Sequence, residues 1–181
     1  KVARRNDVNL ESLIFPRNQL NPDYLPLLLQ NGFVSYRGTQ LGEIYQATNE
    51  ENKNNINRLN RLIDSYLNLS GFNCFSWQFV KENGLPYNVP ASSFLRPYSK
   101  PLSWFESLKI NRISKCLEFA AKNKMIFHLW WHPHNFGVNL DKNIRNLDLI
   151  LSKFSELSES YGLKSFSMKD ISRTVLGADF D

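Results

Sequence analysis

Between Ser12 and Tyr36 the chain sets out a strand, a helix and a second strand within about 25 residues, the spacing of a parallel βαβ unit. Ser12-Leu13-Ile14-Phe15 is a short apolar run closed by Pro16, and Arg17-Asn18-Gln19 is left at its carboxyl end. Asn21-Pro22 then offers an N-cap with proline in the first helical turn. Tyr24, Leu25, Leu28 and Leu29 make the apolar stripe, and Asn31-Gly32 is the stop. Phe33 to Tyr36 reads as the second strand, closed by Arg37-Gly38. Parallel strands need a crossover, so this unit commits the chain to an α/β fold with helices outside a mainly parallel sheet.

The remaining pattern continues the theme. Ile56, Leu59, Leu62, Ile63, Tyr66 and Leu67 recur at helical spacing and predict an amphipathic helix over about 52–68. Residues 70–102 are punctuated by Gly71, Gly84, Pro86, Pro90, Pro97 and Pro101 and read as a long crossing loop with short strands, the kind of segment that often binds ligands. Ile110, Ile113, Cys116, Leu117 and Ala120 mark another helix, and Ile144, Leu147, Ile150, Leu151 and Phe154 a long one stopped by Gly162. Ser165-Phe166-Ser167 could form a short strand, and Ser167 with Asp170 resembles a capping box before a last helical turn. This amounts to roughly four strands, against about eight in a closed barrel.

Between the two long helices lies Met125 to Trp131, a run suited to a half-buried strand, ended by Pro133, Asn135 and Gly137. All 3 histidines fall in or just after it, as do Trp130 and Trp131, two of 4 tryptophans. Alternation puts His128, Trp130, His132 and, if it survives the proline, His134 on one face, with Phe127, Leu129 and Trp131 on the other. One face is polar and aromatic and the other wholly apolar. His132 and His134 then sit near the carboxyl end of the strand, the end that carries chemistry in barrels and open α/β sheets. His128 alone reads as a hydrogen-bonded core residue, and core packing is the expected fate of at least one tryptophan.

Composition narrows the class. At 181 residues with 42% hydrophobic content, one domain spanning 1–181 is the natural expectation. No apolar stretch approaches the roughly 20 residues of a membrane helix. The net charge of +5 is spread along the chain, which argues for a solvated surface and against a nucleic-acid partner. Cys74 and Cys116 have no CxxC spacing and suit a reducing compartment, and no charged-then-apolar leader is visible, so a cytoplasmic location is expected.

Three segments together resemble the carboxyl-terminal half of a bacterial polysaccharide deacetylase of the NodB-homology type, over about residues 12–170. They are His128-Leu-Trp-Trp-His132-Pro-His134-Asn135-Phe-Gly137, Ile14-Phe15-Pro16-Arg17-Asn18-Gln19 and Phe94-Leu95-Arg96-Pro97-Tyr98. The resemblance implies a distorted (β/α) barrel, of which this chain would be the carboxyl-terminal part. It implies a metal-dependent hydrolase, usually with zinc, that removes acetyl groups from amino sugars of a polysaccharide or its precursor.

In that family an aspartate and two histidines hold the metal, a second aspartate is the general base, and a late histidine is the general acid. The resemblance places the acid on His132, with His134 as the alternative, because the usual Leu-x-His order is replaced by Leu129-Trp-Trp131-His132. It makes Arg17 the arginine that orients the base, although the order is Pro16-Arg17 rather than Arg-x-Pro. Trp130, Trp131, Asn135 and Arg96 are the expected substrate contacts. No Asp-Asp pair ends an apolar strand and no histidine pair lies outside 128–134, so the metal ligands are expected upstream and the chain is expected to be inactive alone. Two other readings stay open: His128, His132 and His134 binding a transition metal themselves, and a non-catalytic carbohydrate-binding module.

Overall fold

The computed structural model describes residues 5–16, 20–45 and 55–177 in full, and the backbone of 51–54. Its strands are β1 (Ser12–Leu13), β2 (Ser35–Tyr36), β3 (Tyr87–Asn88), β4 (Ser93–Phe94) and β5 (Leu129–Trp130). Its helices are α1 (Leu25–Gln30), α2 (Glu51–Asp64), α3 (Trp77–Glu82), α4 (Glu106–Asn123), α5 (Pro133–Phe136), α6 (Leu140–Tyr161) and α7 (Met168–Leu176). The chain groups into two compact units, one of residues 1–39, 76–90 and 165–181, the other of 40–75 and 91–164.

In the first unit β1, β2 and β3 form a parallel sheet in that order, with Ser12 opposite Ser35 and Ser35 opposite Tyr87. The βαβ unit is therefore present. Asn21 accepts a hydrogen bond from the Asp23 N–H at 3.0 Å, a short 3-10 turn over Pro22–Tyr24 leads into α1, and Gly32 leaves it at φ 86°. α7 packs against β2 and α3, and Trp77 meets Phe166 edge to face at 5.6 Å. The capping box is complete: Ser167 Oγ accepts from the Asp170 N–H while Asp170 accepts from the Ser167 N–H. Lys169 and Glu11 form an ion pair at 3.0 Å.

In the second unit β4 and β5 pair in parallel, Ser93 opposite Leu129 and Phe94 opposite Trp130. α4 lies along α6, and between them Leu95, Ile113, Leu117, Ala121, Phe136, Ile150 and Leu157 form the buried core. Each leucine, isoleucine and phenylalanine among them contributes about 1.5–3 kcal/mol by leaving water. Gly162, at φ 68°, ends α6 in the left-handed conformation that glycine adopts without a Cβ clash.

The fold is thus mixed α/β, mainly helical, with short parallel strands. Among the described residues these strands form one sheet of three and one of two, and do not close into a barrel. Their brevity follows from the prolines: Pro16, Pro97 and Pro133 stand close behind β1, β4 and β5 and bring no N–H to continue a ladder. Residues 165–167 are not paired as a strand but lead extended into the α7 cap. α3 occupies part of the stretch read as loop, with Ser76 Oγ accepting from the Phe79 N–H at 3.0 Å; six residues are too few to show a helical period. α2 stops at Asp64 rather than running through Leu67, because Asp64 Oδ1 captures the N–H groups of Leu69 and Ser70 at 2.9 and 2.7 Å and turns the chain. Among the described residues no helix is long and apolar enough to cross a membrane.

Candidate functional site

The site lies wholly in the second unit and is built from the β4 and β5 strand ends. Phe127, Leu129 and Trp131 pack on the core under α4 and α6, so the alternate residues face away from it. On that other face Phe94 lies against Trp130 with ring centroids 4.4 Å apart. His132 sits edge-on to both, 5.2 Å from Trp130 at 89° and 5.8 Å from Phe94. The His134 ring follows 5.2 Å from that of His132, tilted by 30°.

Pro133 explains how the two histidines meet. A residue before proline is pushed out of the helical region, and His132, at φ −100° and ψ 113°, keeps the strand's extended form and its face. Proline is at the same time well suited to a first helical turn, so α5 begins at once and curls the chain back. His134 thereby returns beside His132 instead of continuing outward. Both imidazoles are exposed and Trp130 is half-buried.

The other expected residues are distributed unevenly. Trp131, partly buried, is stacked at 6.0 Å on Phe136 and packs against the core, the fate expected of at least one of the two tryptophans. Asn135, half-buried on α5, donates its backbone N–H to the His132 carbonyl at 3.0 Å and closes the turn. His128 is half-buried and backbone-bonded to Ser92, its N–H reaching Ser92 Oγ at 3.0 Å. Arg96 follows Phe94 by two residues and so shares its face; the Leu95 N–H to Trp130 carbonyl bond at 2.9 Å carries the ladder beyond the paired strand residues. Arg17 lies outside the described residues. Among the described residues no three His, Cys, Asp or Glu side chains come together as a metal-ligand set. The three histidines do not make one, and the residues here do not fit a resident metal.

Behind this surface stand polar residues that the sequence did not reveal as part of it. Asn143 of α6, 1% exposed, accepts from the Tyr98 N–H at 2.6 Å and donates to the Phe136 carbonyl at 3.2 Å. One amide thus ties the Arg96 loop to the histidine turn. Its signal was available: Asn143 falls on the same stripe as Leu147 and Ile150, and a polar residue on a core stripe is the informative kind.

Lys109, fully buried on α4, donates to the Arg96 carbonyl at 2.9 Å and to Glu106 at 2.7 Å, while Asn146 holds the same Glu106 oxygen at 2.7 Å. Deeper still, Asp64 accepts from Tyr45 Oη at 2.6 Å, Ser70 Oγ at 2.9 Å and Arg112 at 2.8 Å, besides the two backbone N–H groups. Burial raises the pKa of this carboxyl, but hydrogen bonds from Tyr45 and Ser70 and the charge of Arg112 outweigh it and hold the group below its ordinary value. Burial next to that carboxylate pushes the Tyr45 phenol upward. Burial also pushes the Cys74 thiol up to about 12 and the Cys116 thiol up to about 11, so neither is a nucleophile near neutral pH.

No protein-family model, curated protein or solved structure matches the chain. The chemistry of the site is that of two accessible imidazoles beside an aromatic wall, with Arg96 two residues along the strand from Phe94. Imidazole is the side chain best suited to moving protons near neutrality. An aromatic wall beside it suits the apolar face of a ring such as a sugar.

Proposed function

We propose that the second unit carries the sugar-contacting wall and the proton donor of a metal-dependent hydrolase that removes acetyl groups from amino sugars of a polysaccharide or its precursor. The fold-level counterpart of this proposal is that the chain is the carboxyl-terminal part of a NodB-type barrel. The observation that carries it is the train of rings from Phe94 through Trp130 and His132 to His134 at the carboxyl ends of two parallel strands. Ligands of α/β sheets gather at that end.

The chemistry asks for such a group. When an amide is hydrolysed the departing amine is a poor leaving group until it is protonated, and a positioned imidazole supplies that proton. His132 is the better held of the two, fixed by Pro133 in the backbone and by Trp130 and Phe94 around its ring; His134 is its neighbour and rival. A divalent metal such as zinc would polarise the carbonyl and acidify water, held by ligands other than the described residues. No step through that metal is assigned to the residues described here.

Acetate release from N-acetylated oligosaccharides by the natural protein tests the proposal. The expected result is release that stops when divalent metal is chelated and resumes with zinc. Saccharide binding with no acetate released, with or without zinc, would contradict it and favour a non-catalytic carbohydrate-binding module.

A further inference from the structure

Arg96, on the strand that carries Phe94, has no counter-ion among the described residues. Among the described residues, the basic side chains Lys109 and Arg112 and the carboxylates Glu106 and Asp64 are paired with one another. Arg112 is matched by Asp64 at 2.8 Å and Lys109 by Glu106 at 2.7 Å. The Glu106 oxygen that meets Lys109 is also taken by Asn146, and its other oxygen is buried with no donor against it, so it does not reach Arg96. Arg96 is left half-buried with no carboxylate paired to its guanidinium among the described residues.

Its surroundings sharpen this. Tyr45 and Tyr66 are the groups that act electrostatically on Arg96, and neither is an anion at neutral pH; Tyr45 already gives its hydroxyl proton to Asp64. Lys109 lies near enough for the two positive charges to disfavour one another. Burial without a counter-ion holds the Arg96 pKa below the ordinary guanidinium value. Yet the backbone is rigidly held: the Arg96 carbonyl takes Lys109, Leu95 on one side is 1% exposed, and Tyr98 on the other is fixed by Asn143. A partly desolvated guanidinium with no carboxylate partner among the described residues, on a fixed backbone two residues beyond Phe94, is organised to receive an anion.

We infer that the ligand of this site is anionic, a saccharide bearing a carboxylate or a phosphate group whose oxygens pair with the Arg96 guanidinium while its ring lies along Phe94 and Trp130. The inference rests on the carbohydrate reading of the site and adds the charge of the substrate. An arginine is the apt residue, because its planar fork matches the paired oxygens of either group.

Calorimetric titration at low salt with D-glucuronate, inorganic phosphate and neutral N-acetylglucosamine tests it on the wild type, Arg96→Gln, Arg96→Lys and the control Arg145→Gln, which removes an exposed arginine of α6. At least one anion is expected to bind, and Arg96→Gln to weaken it by about tenfold or more, the loss of a charge-assisted hydrogen bond. Arg96→Lys is expected to fall between, and Arg145→Gln to match wild type. The tighter of the two anions tells whether carboxylate or phosphate is the natural group. Equal anion binding by wild type and Arg96→Gln, or no anion binding at all, would overturn the inference; if N-acetylglucosamine still binds, the proposed function survives it. Anion binding through Arg96 with no affinity for the neutral sugar upholds the inference of an anion site and counts against the carbohydrate reading. Arg96→Gln is expected to unfold at the wild-type urea concentration, since the guanidinium makes none of the hydrogen bonds that hold the loop.

Discussion

Replacing Asp64 by asparagine is expected to destabilise the protein by about 3–5 kcal/mol, because it strands the Arg112 charge in a site from which water has been removed. Asp64 is 1% exposed and Arg112 5%, so solvent does not take over the lost partner. The carboxylate accepts five hydrogen bonds, from Tyr45, Leu69, two groups of Ser70 and Arg112, and an amide of the same shape offers only one oxygen to them. Urea unfolding followed by circular dichroism measures the loss; a change below about 1 kcal/mol would mean that the pair is solvated and the network loose. The pH dependence has a definite sign. The folded-state pKa of Asp64 is below its unfolded value of 3.8, so its contribution is fully present above that value and drains away as pH falls through the lower, folded one. Wild type should therefore lose stability across that acid window, and the asparagine variant should lose less.

The second large effect belongs to the chemistry. His132→Gln in the natural protein is expected to lower kcat for acetate release by about 10²–10⁴-fold, the usual contribution of a positioned acid or base. KM should change little, since the Phe94 and Trp130 rings that would contact the sugar remain paired with one another. His134→Gln is expected to cost less, for its ring touches His132 rather than the aromatic wall. Steady-state kinetics on both variants decides the order. A full loss in His134→Gln with near wild-type rates in His132→Gln would exchange the two roles, and normal rates in both would remove histidine from the proton transfer.

Much of the local structure was legible because it is written in short-range patterns. The βαβ unit showed through its proline and Asn-Gly punctuation, α7 through Ser167 and Asp170, and the two faces of β5 through strict alternation, which put Trp131 against Phe136 and Trp130 beside His132. Pro133 was read as the end of a strand, and it is also the start of α5, a double role that follows from its fixed φ.

What did not show was long-range and polar. Asp64 and Arg112 are 48 residues apart, and nothing in either neighbourhood announces that a helix end and a mid-helix arginine will be buried together. Lys109 and Arg112 sit on the core stripe of α4, where their charges are matched by Glu106 and Asp64. The brevity of the strands was likewise hidden, since apolar runs mark where a strand fits without saying how far its neighbour stays paired. The count of roughly four strands thus came close, while the barrel that the resemblance implied is not closed by the described strands, which pair as a set of three and a set of two.

The central claim is that a saccharide lies along Phe94, Trp130 and His132. The four tryptophans are natural reporters for it: Trp77 is packed against Phe166, Trp131 against Phe136, Trp104 is 89% exposed, and Trp130 alone stands on the histidine face. Titration of the isotope-labelled chain with an N-acetylglucosamine oligomer, read from the indole N–H and imidazole C–H resonances, tests the claim most directly. Saturable shifts of Trp130, His132 and His134, with Trp77 and Trp104 unmoved, are the predicted result. Shifts confined to Trp104, or none at all up to millimolar sugar, would contradict it.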